Sequence, residues 1–306
     1  MNAQVLEVIK NSAALPSVPQ VVTRVLQIMR SSEFDYADVV RAISADTGSA
    51  SDILRLANSP LFGVRHKVAS LRQALTLLGP KRTRSLLLGR YLVGSLNSRK
   101  TDGLEMDYFW RRSLASAVLA SHLARELTPK YQDEAFIGAL LAKIGIVILA
   151  KAMPENYRSI AEMFVPHGGT IDPERERAVV GATHGEVSAM VLSHWELPDT
   201  VTALVNQHQN PPERGGEAGQ LARIVCSAYM VSRLLCEVPD VDQIGPICRE
   251  AASLSGVGME TLVELLRKVE TDIEELADIL RIDVIQSRVY VLIAQTVLDH
   301  LEVAPA

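Results

Sequence analysis

The sequence is poor in aromatic residues and cysteine, and it has no excess of positive charge. Phenylalanine, tyrosine and tryptophan make up 5% of its 306 residues, which is too few for the aromatic platforms on which single-stranded nucleic acids stack. Its 31 basic residues are outnumbered by 36 acidic ones, giving a net charge of -5, so nucleic acid is not expected as a partner. The cysteines Cys226, Cys236 and Cys248 are odd in number and lack metal-ligand spacing, which predicts free thiols in a reducing cytoplasm.

The motifs of the common catalytic classes are also missing. The chain has no Gly-x-Ser-x-Gly elbow, no Gly-x-Gly-x-x-Gly fingerprint and no phosphate-binding P-loop, and no cysteine is framed by a suitable histidine and aspartate. The N-terminal segment carries Glu7 and Lys10 inside its apolar part, so it predicts neither a signal peptide nor a membrane anchor. These patterns alone indicate a cytoplasmic protein without a cofactor, a bound metal or a recognisable catalytic centre.

Alternating β-strand patterns are missing as well, because apolar residues recur with a period near 3.6 along nearly the whole chain, which predicts an all-α fold. Asp35, Asp46 and Ser70 each stand at the expected N-cap of a helix. Gly79 ends one helix and Pro80 opens the next. A polar break at residues 97–103 then separates a five-helix N-terminal block from the rest of the chain.

One run, from Ala135 to Ala150, is apolar or glycine throughout except for Lys143. A helix without a polar face belongs in a core or a membrane, and this run is shorter than the ~20 residues of a membrane span. It therefore predicts one central buried helix. Lys143 either extends its ammonium to the surface along an apolar stem or points into a pocket.

Two histidines, His184 and His208, begin and end consecutive predicted helices, which a short connection would make antiparallel neighbours. A metal or phosphate site is one interpretation, and ordinary buried or surface histidines are the other. The apolar run from 135 to 150 supplies no carboxylate, and an ammonium nearby would weaken cation binding.

A set of motifs nevertheless resembles one known family, the HDOD domain, a bacterial signalling module related to HD-type metal phosphohydrolases. The resemblance covers roughly residues 12–236 and includes four signature residues, Asp46, Arg55, Asn58 and Ser59. It is carried by Leu15-Pro-x-x-Pro19, Ile43-Ser-Ala-Asp46, Ile53-Leu-Arg-Leu-Ala-Asn-Ser59, Ala69 to Gly79, Phe109-Trp-Arg-Arg-Ser113, Phe136 to Gly145, and His184 through Trp195-x-Leu-Pro198 to His208. It implies an HD-like helical bundle with an N-terminal subdomain at 1–100, an HD-like subdomain at 101–237 and a C-terminal helical extension at 238–306.

The resemblance also implies that the metal ligands of the active relatives have been replaced. Their first histidine, their adjacent histidine and aspartate, and their last aspartate correspond by flanking residues to Arg112, Ala142-Lys143 and Tyr229. His184 and His208 match accessory histidines of some cyclic-dinucleotide hydrolases. The Lys143 ammonium and the Arg112 guanidinium would repel a divalent metal ion at this position. Two like unit charges about 4 Å apart repel by ~4 kcal/mol at an effective dielectric near 20, and the repulsion doubles when one of them is a divalent ion. We therefore expect no enzyme. The alternative is a phosphohydrolase or cyclic-dinucleotide phosphodiesterase with an atypical ligand set that uses Glu186 or Asp199.

The expected function is that of a non-catalytic signal-transduction module whose partners are other signalling proteins or a small anionic effector. The former metal pocket, formed by Arg112, Lys143, His184, His208 and Tyr229, either holds an anion or is collapsed and structural. The C-terminal helices carry an apolar stripe that predicts either a homodimer interface or packing within the chain, and it consists of Leu262, Leu265, Leu266, Ile273, Leu276 and Ile279.

Overall fold

A computed structural model describes residues 3–284, except for 13, 16–18, 30–32, 63–66, 98–100, 102, 214 and 238–239, and also residues 293, 295 and 296. Within this part of the chain the fold is all-α and has no strand, as predicted. Short 3-10 turns lie at Pro60–Phe62 and Pro129–Tyr131. The helices are α1 (Ala3–Asn11), α2 (Gln20–Ile28), α3 (Tyr36–Ser44), α4 (Thr47–Asn58), α5 (Leu71–Asn97), α6 (Met106–Leu127), α7 (Gln132–Leu141), α8 (Ile144–Ala152), α9 (Pro154–Ala161), α10 (Pro173–Val180), α11 (His184–His194), α12 (Asp199–Gln207), α13 (Gly216–Cys236), α14 (Val241–Ser255) and α15 (Met259–Leu280).

The helix ends follow the local chemistry of the sequence. Asp35, Asp46, Ser70 and Thr183 each accept a hydrogen bond from a backbone N–H in the first turn of the helix that follows. Such caps satisfy donors that the helix itself leaves without a partner. Gly79 has a non-helical backbone with a φ of 71° inside α5, a conformation that favours glycine, so α5 consists of the two predicted helical segments, which meet at a sharp kink there.

The described residues fall into two compact units. The second unit comprises residues 16–99 and 274–282. In it, α4 packs against α5, and α3 contacts α2, α4 and α5. A largely buried ion pair, in which Arg90 Nε lies 2.7 Å from Asp52 Oδ2, joins α5 to α4. The predicted boundaries at 100 and 237 divide the chain differently, and they stay a prediction.

The first unit comprises residues 1–15, 100–273 and 283–306, and its core is built around α6. This helix is buried at almost every position from Tyr108 to Ala124, and it packs against α7 and α13. Helix α11 lies against α8 and α12, while α12 also contacts α7 and α13. The ends of these helices converge on one region, where the residues predicted to form a pocket are found.

The apolar run is not one helix, and that prediction is wrong. Helix α7 ends at Leu141 and α8 begins at Ile144. The Ser188 hydroxyl compensates for the break, because it donates to the Ala142 carbonyl and accepts from the Gly145 N–H, both at 2.8 Å. Pro129–Ala152 is the one stretch of the described chain that is long and apolar enough to cross a membrane, and 89% of the tested window is buried inside the protein.

The C-terminal helices bury their apolar stripe. All six of its leucine and isoleucine side chains are at most 2% exposed, which favours packing within the chain over a dimer interface. The predicted breaks are present, since Gly256 has a φ of 83° and Arg281 a φ of 58°. The third predicted segment of this region begins after the second break and lies mostly outside the described residues.

Candidate functional site

A cavity of about 440 Å³ opens in the first unit between α6, α13, α14 and the residues before α10. It contains four of the five side chains predicted to form a pocket, and the fifth, His184, lies directly behind them. Its lining residues are Arg112, Lys143, Gly169, Thr170, Ile171, Asp172, Pro173, His208, Gln209, Cys226, Tyr229, Met230, Arg233, Ile247 and Glu250. The described chain therefore retains an open pocket at this position.

Lys143 occupies the break between α7 and α8, and its side chain turns inward. The residue is only 7% exposed. Its Nζ lies 3.1 Å from His184 Nε2 and 3.9 Å from the centroid of the Tyr229 ring. Its partners are thus an imidazole and an aromatic face, and no carboxylate in the described part of the chain forms an ion pair with it.

Arg112 projects from α6 and contacts Tyr229, the same tyrosine that Lys143 contacts. Its guanidinium carbon lies 4.0 Å from the Tyr229 ring centroid, within the range of a cation–π interaction. One terminal nitrogen donates to the Tyr229 carbonyl at 3.1 Å and the other to the Tyr108 hydroxyl at 3.4 Å, while Nε has no hydrogen-bond partner. Tyr108 in turn donates to the buried carboxylate of Glu237. Arg112 is thus also a buried cation without a direct carboxylate contact.

His184 is fully buried, and a carboxylate orients it from behind. Its Nδ1 lies 3.0 Å from Glu176 Oε2, and Glu176 also accepts a hydrogen bond from the Tyr157 hydroxyl. We assign the His184 proton to Nδ1 from this network, which leaves the lone pair of Nε2 to accept from Lys143. The four groups Tyr157, Glu176, His184 and Lys143 thereby form one continuous hydrogen-bonded chain that ends at the cavity.

His208 and Gln209 present one acceptor and one donor that are both unpaired. His208 Nδ1 lies 2.6 Å from the Val205 carbonyl, to which it donates, and its Nε2 has no partner. Gln209 accepts from the Gly185 N–H at 3.1 Å through Oε1, and its Nε2 has no partner. The His184 and His208 rings are 5.4 Å apart, as the predicted helix pairing required.

Burial dominates the electrostatics of the pocket. Burial, followed by the charge of Arg112, lowers the pKa of Lys143 to about 7. Burial also lowers the pKa of His184 against the opposing effect of Glu176, and it lowers the pKa of His208 well below its ordinary value. The pKa of the Tyr229 phenol is raised by burial. At neutral pH the imidazoles and the phenol are therefore uncharged, and positive charge is concentrated on Arg112 and Lys143.

The side chains at this position do not fit a metal ion. Lys143 occupies the His184 lone pair that a metal would need, and Arg112 brings a second cation to the same cavity wall. Among the described residues, no group of three or more histidine, cysteine, aspartate or glutamate side chains is placed to hold a metal ion. Glu186 caps α11 and contacts Arg177, and Asp199 is exposed. Neither of these two carboxylates lines the cavity.

Comparison with known sequences identifies the family. A family model described as the HDOD domain matches residues 15–211. The chain belongs to the HDOD domain family. This match covers the whole of α2 to α12, so it includes the break at Lys143 and both pocket histidines.

Solved structures share the HDOD fold with this chain. The crystal structure of a candidate phosphohydrolase from Shewanella amazonensis has a TM-score of 0.70 at 21% identity, covering 91% of this chain and 98% of that one. A candidate signal transduction protein from Marinobacter aquaeolei has a TM-score of 0.60 at 22% identity, covering 91% of this chain and 65% of that one. A curated protein of Treponema pallidum (strain Nichols) is 26% identical over 235 residues, which are 75% of this chain. The match spans only 45% of that relative.

The four HDOD signature residues lie in the second unit, and their contacts there are structural. Asp46 caps α4, and Arg55 pairs with Asp278. Asn58 closes the connection that follows α4, because its amide donates to the Val68 carbonyl at 2.9 Å and accepts from the Val68 N–H at 2.7 Å. Ser59 is fully buried, and its hydroxyl donates to the Glu275 carboxylate at 3.3 Å.

Sequence reasoning missed Glu176, the residue that orients the central histidine of this HDOD pocket. It lies in the highly charged segment Pro173-Glu-Arg-Glu-Arg177, which is typical of a solvated helix, yet it is completely buried. One signal was available, since Glu176 and the buried Val180 are four residues apart and so share a helix face. Gln209 was also missed as a pocket residue, although it directly follows His208.

Proposed function

We propose that this HDOD protein is a non-catalytic regulatory module of bacterial signal transduction that binds a small anionic effector in its cavity. One observation carries the proposal: Lys143 and Arg112 are two buried cations on the cavity wall, 7% and 6% exposed, and neither contacts a carboxylate of the described residues. Buried charges are normally paired. An anionic ligand would supply the missing counter-charge.

The other polar groups of the cavity support a ligand with defined polarity. The Gln209 amide nitrogen and Arg112 Nε are unpaired donors, which suit the oxygens of a phosphate or carboxylate. The neutral His208 Nε2 is an acceptor and so suits a hydroxyl or N–H group on the ligand. Asp172 and Glu250 at the lining would disfavour extended polyanions. We infer a compact anion as the ligand.

Thermal unfolding in the presence of inorganic phosphate, glyoxylate and nucleoside monophosphates tests this function. A ligand at 100 times its Kd stabilises the folded state by ~2.7 kcal/mol, which raises Tm by several degrees. Chloride at matched ionic strength serves as the control for general salt effects. The effect should disappear in Arg112→Gln and persist in Arg223→Gln, which removes an arginine that binds the Pro212 carbonyl instead. If no anion raises Tm in the unmodified protein, the effector proposal fails.

The alternative, a metal-dependent phosphohydrolase or cyclic-dinucleotide phosphodiesterase, is favoured by one observation. Glu176 contacts His184, and the His184 ring lies 5.4 Å from the His208 ring. Lys143, however, occupies the lone pair of His184 Nε2. Elemental analysis of protein purified without chelator, together with a phosphodiesterase assay in added Mn²⁺, separates the two functions. Stoichiometric iron, manganese or zinc would overturn the regulatory proposal, whereas metal-free and inactive protein would support it.

We further propose that the output passes to other signalling proteins in the cytoplasm. A homodimer is a second mode of output, although the buried stripe on α15 is not free to form it. Light scattering of the protein with and without the stabilising anion measures whether the ligand changes the assembly state. A mass that stays at that of one chain under both conditions would exclude the homodimer as the output.

A further inference from the structure

The Lys143 amine lies at the cavity wall, where it contacts the His184 imidazole and where the Arg112 guanidinium is also found. Its Nζ is 3.1 Å from His184 Nε2. Nζ and the Arg112 guanidinium carbon lie 3.9 and 4.0 Å from the same ring centroid, that of Tyr229, so their separation is at most the sum of these distances. An ion-pairing role would require a carboxylate at Lys143, and none contacts it. This arrangement joins a buried primary amine, a proton acceptor and an anion-binding group at one opening.

We propose that Lys143 captures a small 2-oxo acid as a reversible imine, with Arg112 binding the carboxylate of the captured molecule. This proposal rests on the proposed function, since it names the chemical class of the anionic effector and how it is held. In a 2-oxo acid the carboxylate is bonded directly to the carbonyl carbon. Arg112 and Lys143 contact the same Tyr229 ring and line the same cavity, so one small ligand with adjoining carbonyl and carboxylate groups can contact both.

The bond changes in this capture are balanced and involve no oxidation. The Nζ lone pair forms a bond to the carbonyl carbon while the C=O π bond breaks, and the oxygen takes up a proton from solvent water to give a carbinolamine; this proton is the one that the iminium cation carries at the end. His184 Nε2 accepts a proton from the attacking nitrogen and returns it to the departing hydroxyl, so that the C–O bond breaks and water leaves. Glu176 stabilises the imidazolium that forms in between, because it contacts Nδ1. Hydrolysis of the imine reverses every step.

The surroundings favour both the free amine and the product. Burial and the Arg112 charge lower the pKa of Lys143 to about 7, so about half of this amine is unprotonated at neutral pH, against ~0.1% or less of an ordinary lysine. The iminium product is a cation, which the face of the Tyr229 ring stabilises. Its N–H can donate to His184 Nε2 in place of the ammonium.

Reductive trapping with glyoxylate and sodium cyanoborohydride tests the proposal, because cyanoborohydride converts an imine into a stable secondary amine. Adducts are located by peptide mass spectrometry after short incubations at pH 7. We expect Lys143 to be carboxymethylated at least about tenfold faster than Lys268, an exposed lysine on α15, because of the larger unprotonated fraction. Lys143→Arg should remove the fast adduct while retaining a cation. Modification of Lys143 no faster than Lys268 would overturn the proposal.

Acetaldehyde, which has a carbonyl and no carboxylate, serves as the matched probe for the role of Arg112. Arg112→Met should slow trapping of glyoxylate at Lys143 about tenfold more than trapping of acetaldehyde, because any rise in the Lys143 pKa on loss of the Arg112 charge affects both probes equally. An equal loss with both probes would contradict the carboxylate contact. If phosphate stabilises the protein while Lys143 is not trapped, imine capture fails and the anion site stands. If neither occurs, both proposals fail.

Discussion

Replacing Lys143 by methionine should make the protein more stable near pH 6 and remove or reverse that advantage near pH 10. Methionine has nearly the volume of the lysine stem and no charge, so it fills the same space. The substitution relieves the cost of keeping an ammonium in a buried position. It also leaves the lone pair of His184 Nε2 without its donor, which costs about 1–3 kcal/mol.

The pH dependence follows from where Lys143 binds its proton. Its pKa is about 7 in the folded protein and 10.5 in an ordinary lysine. Between these values the unfolded chain binds more protons than the folded one, so stability rises with pH across this window. At 1.36 kcal/mol per pH unit, this difference in pKa destabilises the original protein by roughly 5 kcal/mol below pH 7. The destabilisation disappears above pH 10.5. After the loss at His184, we expect Lys143→Met to be stabilised by roughly 2–4 kcal/mol at pH 6.

Urea denaturation of both proteins between pH 6 and pH 10 measures this difference directly. The matched control is Lys268→Met on the exposed face of α15, whose effect should remain within about 0.5 kcal/mol at each pH. Similar m-values in all three proteins would show that the same surface is exposed on unfolding. A difference between Lys143→Met and the original protein that does not change with pH would refute the assignment of Lys143 as a buried, proton-releasing group.

Three further substitutions test the packing of the first unit. Gly145→Ala should destabilise the protein by about 3 kcal/mol or more, because a Cβ there would lie 2.1 Å from the His184 carbonyl oxygen; Gly258→Ala, which meets only a side chain at 3.9 Å, is the control in the same urea titration. Ser188→Ala should cost about 1–3 kcal/mol in thermal unfolding, since both backbone groups at the α7–α8 break lose their partner, and no loss would show that the break is satisfied otherwise. Asp272→Asn should lower Tm by several degrees, because the His122 imidazole, 2.7 Å from Asp272 in a buried contact, would lose its charged acceptor; an unchanged Tm would contradict this.

The sequence allowed the helices to be predicted because their local signals agree with the final packing. The caps at Asp35, Asp46 and Ser70 and the kink at Gly79 are decided by groups within a few residues of one another. The break at Lys143 was not predicted because its cause is distant in sequence. The Ser188 hydroxyl that bonds the interrupted backbone comes from α11. No residue pattern close to Lys143 in the sequence indicates this contact.

The same distinction applies to the candidate site. Family resemblance brought together Arg112, Lys143, His184, His208 and Tyr229 as a pocket, and the structure places four on one cavity and His184 against Lys143. It did not reveal the partners that set their chemistry. Glu176 was hidden in a segment whose charge pattern is that of a surface helix, and its burial follows from tertiary packing onto His184. The depressed pKa of Lys143 likewise depends on burial and on Arg112, which is thirty-one residues away in sequence.

The hydroxyl bridge at the α7–α8 break has a consequence for how this fold tolerates chemical change. Because Ser188 holds the backbone on both sides of Lys143, no atom of the Lys143 side chain takes part in closing the break. We therefore expect a substitution at position 143 to leave the path of the chain unchanged. The backbone frame of this pocket is thereby separate from the reactivity of its central amine.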